Sequence, residues 1–117
     1  MDIRKKQRVV VEALEDIKGR DIKVLDVRKL TSFYDCLIIA SADSNRQVKA
    51  LAFHVRDKLK EAGATIIGVE GEETGEWVLV DCGEIVVHVM QPAVRAYYNL
   101  EELWETTPAQ RRVRAAA

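Results

Sequence analysis

The side chains of this 117-residue chain that can do chemistry are few and scattered. Its cysteines are Cys36 and Cys82 and its histidines are His54 and His88. A zinc site needs such ligands clustered at short spacing, and each of these stands alone. A nucleophile triad needs Ser, His and Asp in one place. His88, with Asp81 in the turn before it, can be imagined near Ser41, yet no elbow motif surrounds any serine. Carboxylates for two-metal chemistry sit two apart on one strand face, and two positions after Asp81 stands Gly83. A phosphate cradle needs a glycine-rich strand-to-helix loop. The equivalent stretch, Ala40-Ser41-Ala42-Asp43-Ser44, has no glycine, and Asp43 opposes an anion at the helix N-terminus that follows. No catalysis, no metal and no cofactor are therefore expected. The ordinary roles suffice: small apolar packing for Cys36 and Cys82, and turn chemistry with a solvated rim for Asp81 and Glu84.

Charge and aromatic placement are more informative. The chain has 18 basic and 19 acidic side chains and a net charge of −1, unevenly spread. Residues 4–20 hold six basic and three acidic residues, whereas residues 70–84 hold six acidic residues and no basic one. In that acidic stretch lie Trp77 and Val78-Leu79-Val80. An acidic face with apolar residues in it suits a basic protein partner, because complementary charge steers encounter and apolar anchors supply affinity. It would repel a phosphate backbone. Core packing is the default for Trp77 and Trp104, but the acidic setting of Trp77 favours an interface anchor. Tyr97 and Tyr98 are adjacent and cannot share one helix face, so at least one lies toward a helix boundary or solvent.

These residues need elements to position them. Val10, Ala13, Leu14 and Ile17 recur at helical spacing over residues 3–18, with Gly19 as C-cap. Residues 21–27 read as a strand with Ile22 and Val24 on one face. The continuous apolar run 36–40 reads as a strand buried on both faces. Ser44-Asn45-Arg46-Gln47 reads as a capping box, the ordinary role of Ser44, Arg46 and Gln47. A helix follows to residue 63 with Val48, Leu51, Ala52, Val55, Leu59 and Ala62 on its apolar stripe. Residues 65–69 read as a strand, and 77–80 and 85–90 as a hairpin around Asp81-Cys82-Gly83-Glu84. Pro92 opens a closing helix that carries Val94, Tyr97, Tyr98, Leu100, Leu103 and Trp104. A helical crossover between strands implies parallel pairing. The expected architecture is a mixed α/β (α+β) sheet of about five strands flanked by helices.

Length and composition set the bounds. At 48% hydrophobic and 32% charged residues, this is an ordinary globular chain. One domain over 1–107 is expected, followed by a mobile basic tail at 108–117 with Arg111, Arg112 and Arg114. Near-zero net charge argues against a general nucleic-acid wrapper, and DNA is not an expected partner. No apolar run is long enough for a membrane span, no secretory signal is legible, and two cysteines suit the reducing cytoplasm.

An ordered series of motifs carries a resemblance over about residues 3–105. Asp35-Cys36-Leu37-Ile38-Ile39-Ala40-Ser41 and Ser44-Asn45-Arg46-Gln47-Val48 come first, then Gly68-Val69-Glu70-Gly71 and Trp77-Val78-Leu79-Val80-Asp81. Gly83-Glu84-Ile85-Val86-Val87-His88-Val89-Met90 follows, then Arg95, Tyr97-Tyr98 and Leu100-Glu101-Glu102-Leu103-Trp104. The chain resembles the ribosomal silencing factors, the RsfS or Iojap/YbeB family. The resemblance implies a nucleotidyltransferase-like fold without that fold's catalytic carboxylates. It implies binding to the large ribosomal subunit through ribosomal protein number fourteen, a block on joining of the small subunit, and lowered translation when nutrients are scarce. It also implies a homodimer when free.

On this basis Trp77 is the expected anchor, with Val78 or Val80 beside it, and Asp81 and Glu84 pair with basic residues of the partner. The family's interface runs onto the last strand and helix, which adds His88, Met90, Arg95 and Tyr98. The tail arginines are candidates for a minor contact with ribosomal RNA. The competing reading is a degenerate nucleotidyltransferase or an anion-binding hydrolase using Ser41, Ser44 and Arg46.

Overall fold

The structure is a computed structural model, and it describes residues 1–105. The tail at 108–117 lies outside the described residues. Helix α1 spans Ile3–Asp16, capped by Asp2, whose carboxylate accepts from the Lys5 amide at 2.9 Å. It buries Val10, Ala13 and Leu14. The expected glycine C-cap is displaced by one residue. Lys18 takes the left-handed conformation, and Gly19 instead allows close packing, since a Cβ there would lie 2.9 Å from the Leu14 carbonyl oxygen.

Strand β1 (Arg20–Asp26) pairs antiparallel with β2 (Cys36–Ser41), with a register shift between Arg20 and Lys23. All of β2 is buried, as its unbroken apolar run requires. Helix α2 spans Asn45–Glu61 and buries the expected stripe of Val48, Leu51, Ala52, Val55 and Leu59. Ser44 caps it by accepting from the Gln47 amide at 3.1 Å, and the Gln47 side chain reaches back to the Asp43 amide at 3.2 Å. Strand β3 covers only Gly68–Glu70, short of the strand expected at 65–69, and Ile67 before it is 67% exposed. Strands β4 (Trp77–Asp81) and β5 (Ile85–Met90) form the expected antiparallel hairpin.

The five-stranded sheet has the order β1-β2-β5-β4-β3. Only β2 and β5 pair in parallel. The crossover through α2 joins β2 to β3, at the far side of the sheet, so the strand beside β2 comes from the hairpin. One sheet face packs on α1 and α2 through Cys36, Ile38, Ala40, Val78, Val80, Ile85, Val87 and Val89. The other face collects Leu37, Ile39, Val86 and Met90 against Leu25, Tyr34, Trp77, Leu79 and the closing helices.

The closing helix is broken. Helix α3 covers Pro92–Tyr98 and α4 covers Leu100–Glu105, with Asn99 left-handed between them at φ 47°. The residues expected on one closing helix therefore divide between two. Val94, Leu100 and Trp104 pack on the sheet, while Tyr97 and Tyr98 turn outward, 82% and 55% exposed.

Candidate partner interface

Strand alternation decides what β4 offers to a partner. Trp77, Leu79 and Asp81 share the face away from α1 and α2, and Val78 and Val80 point the other way. Val78 and Val80 are fully buried in the α1–α2 core. This corrects the expectation that either lies beside Trp77 on a docking surface. The residue that does share its face is Leu79, half-buried and missed in the sequence reading, although period-two alternation signals it. Met90, opposite Trp77 in the hairpin register, is also fully buried and belongs to the core beneath the face.

Trp77 is held in place. Its indole Nε1 donates to His88 Nδ1 at 2.8 Å, with the ring centroids 5.7 Å apart. His88 sits opposite Leu79 on β5, diagonal to Trp77. The residue is 8% exposed, and burial pushes its pKa down to about 4. At neutral pH the imidazole is uncharged. Because Nδ1 accepts from the indole, the ring proton resides on Nε2. His88 thus lies under the interface as a support for Trp77, not on it as a contact.

Tyr98 packs on the indole with ring centroids 4.9 Å apart, and Tyr97 packs edge-on to Tyr98 at 5.0 Å. The placement of Tyr98 depends on α3, which buries none of its own residues. Arg95 fastens that helix. Its Nη1 donates to Ser41 Oγ at 2.8 Å and its Nε donates to Glu101. The Arg95 side chain is only 12% exposed, so it positions Tyr98 and is not a free cation for a partner. The Gln91 amide adds a bond to the Glu76 carbonyl at 3.0 Å, tying the start of α3 to the residue before Trp77.

The acidic residues divide between two places. Glu70, Glu72, Glu73 and Glu76 are exposed around the loop that enters β4. Gly71 in that loop has φ +89°, and a Cβ there would lie 2.0 Å from the Trp77 carbonyl oxygen. Only glycine allows this approach. Asp81 and Glu84 lie at the opposite end of the hairpin, roughly 13 Å along the strand from Trp77. Asp81 accepts from the Gly83 amide at 2.9 Å and Glu84 pairs with Lys6 at 2.8 Å. Both were expected to pair with basic residues of a partner; within the chain Asp81 closes the turn and Glu84 joins it to α1.

The turn before α2 has its polar groups engaged. Ser41 is buried and receives Arg95, Ser44 caps α2, and Asp43 pairs with Arg20. Arg46 there has no hydrogen-bond or ion-pair partner among the described residues. Burial raises the thiol pKa of Cys36, and that of Cys82 to about 11, which leaves both as protonated packing groups at neutral pH. Among the described residues no three of His, Cys, Asp and Glu converge as metal ligands. No helix there is long and apolar enough to cross a membrane.

The family described as "Ribosomal silencing factor during starvation" matches residues 1–116. The chain belongs to this family. A ribosomal silencing factor of Chromobacterium violaceum is 62% identical over 104 residues, covering 89% of this chain and 85% of its own length. A crystal structure of a protein from the same organism superposes with a TM-score of 0.89 at 60% identity, covering 92% of this chain and 89% of that one. A more distant mouse relative, named mitochondrial assembly of ribosomal large subunit protein 1, is 31% identical over 82% of this chain and 43% of its own length. The family's name describes a regulator of ribosomes.

Proposed function

We propose that this protein silences translation by docking on the large ribosomal subunit and sterically excluding the small one when nutrients are scarce. The observation that carries this reading is the Trp77–Tyr98–Tyr97 cluster, exposed at its outer edge and held from beneath by His88 and Arg95, on a strand entered by a loop of exposed carboxylates. Aromatic anchors fixed before contact lose little conformational freedom on binding. Exposed carboxylates steer encounter with a basic patch without having to be desolvated. The partner patch is ribosomal protein number fourteen, as the family resemblance implies, and the name of the mouse relative points to the same subunit. The body of the domain then fills space that the small subunit needs. The free protein is a cytoplasmic homodimer, and the tail arginines make at most a minor contact with ribosomal RNA. No cofactor is required.

Sedimentation of the purified protein with isolated subunits tests this. The expected result is co-migration with the large subunit alone and fewer joined ribosomes when the protein is added. A folded sample that migrates with neither subunit would refute it. A rise in melting temperature with nucleotide and Mg²⁺ would then favour a degenerate nucleotidyltransferase.

A further inference from the structure

The flank of α2 turned away from α1 carries a feature that the docking face does not use. Arg46, Lys49, Phe53, Arg56 and Lys60 recur at steps of three and four residues, which aligns them on one stripe. The stripe runs for roughly 21 Å at ~1.5 Å per residue. It is separate from the buried row of Val48, Leu51, Ala52, Val55 and Leu59. It is also separate from the flank where His54 meets Asp16 of α1 and Lys58 meets Glu61.

Among the described residues Arg46, Lys49 and Lys60 have no carboxylate partner. Arg56 is braced, pairing with Asp57 at 2.9 Å while its guanidinium lies 4.7 Å over the Phe53 ring. A surface cation normally sits among opposite charges, and four in a row around an aromatic ring are a linear electropositive ridge.

We infer that this ridge of α2 binds the phosphate backbone of RNA. A straight row of cations complements a line of phosphates, and each neutralised phosphate releases counterions. Phe53 and the guanidinium stacked on it give a flat surface for a base or ribose. The ridge has too little apolar area to enter a bilayer. Lys49 lies against Gly75 of the loop that enters β4. The inference rests on the docking reading in one respect only: a large subunit would supply such RNA beside the protein surface that Trp77 contacts. One domain would then present an acidic aromatic face to protein and a basic flank to RNA.

The test uses the full chain and a triple variant, Arg46→Gln, Lys49→Gln and Lys60→Gln, since glutamine is a good helix former at these sites outside the core. One probe is a short fluorescein-labelled RNA duplex followed by anisotropy. The other is affinity for isolated large subunits across a salt series. The parent is expected to bind the duplex, and the triple variant to lose most of that binding. The slope of log affinity against log salt should fall by about 2 in the variant, at ~0.7–0.9 per lost phosphate contact. Trp77→Ala should leave duplex binding unchanged. Equal duplex binding by parent and triple variant, or none by the parent, overturns the inference. So does preference for a polyglutamate peptide over the duplex, which would make the partner an acidic protein. Duplex binding by a parent that ignores large subunits supports the ridge while refuting the docking reading. Tight subunit binding with the same salt slope in both proteins does the reverse.

Discussion

The burial of His88 beneath Trp77 makes stability depend on pH in a way that can be worked out from the structure. The imidazole titrates near 6.5 when unfolded, and burial lowers this to about 4 in the folded chain. Between those values the unfolded state holds more protons than the folded one, so stability falls as pH drops. The loss begins near pH 6.5 and is nearly complete by pH 4. At ~1.36 kcal/mol per unit, the shift corresponds to about 3 kcal/mol, a large share of the ~5–15 kcal/mol that holds a domain folded. His88→Asn removes the titration while keeping an acceptor for the indole. Urea unfolding of both proteins at pH 7 and pH 4 separates this effect from the carboxylates they share. The parent should lose about 3 kcal/mol more than the variant on acidification. Trp77 fluorescence should report the same transition. If the two proteins lose stability in parallel, the reasoning fails, and His88 is either solvated or partnered by a group that keeps its charged form.

Other substitutions read the rest of the site. Trp77→Ala should weaken binding to large subunits by about 2 kcal/mol, roughly 30-fold, as expected of a central aromatic anchor; a change of a few-fold, measured on folded protein, would place Trp77 at the periphery. Val80→Ala should cost about 2 kcal/mol of stability through lost burial and a residual cavity, with subunit affinity unchanged wherever the variant is folded. Gly71→Ala should lower the melting temperature more than Gly63→Ala. Both glycines have positive φ, but an added Cβ meets the Trp77 carbonyl at 2.0 Å in the first and nothing within 4 Å in the second. The same variant should weaken subunit binding, because the strand that presents Trp77 must move.

The proposed docking face is assembled by contacts that leave uneven traces in the chain. Periodicity alone located both long helices, the buried run of β2 and the hairpin, because each follows a local pattern of burial that only one secondary structure satisfies. The ordered motifs were enough to place the chain among ribosomal silencing factors. The same alternation assigns Val78 and Val80 to one face and Trp77 and Leu79 to the other, but which face is covered depends on α1 and α2, far away in sequence. The break at Asn99 was not legible, since an asparagine inside an amphipathic stretch looks like any polar helical position. That break turns Tyr97 and Tyr98 outward. Nothing local foretold that Arg95 would reach Ser41, 54 residues earlier, or that Glu84 would pair with Lys6, 78 residues earlier. The sequence by itself determined the elements, their apolar faces and the family, because these follow from short-range spacing and motif order. The tertiary structure decided which side chains meet solvent together, because that depends on how distant elements cover one another.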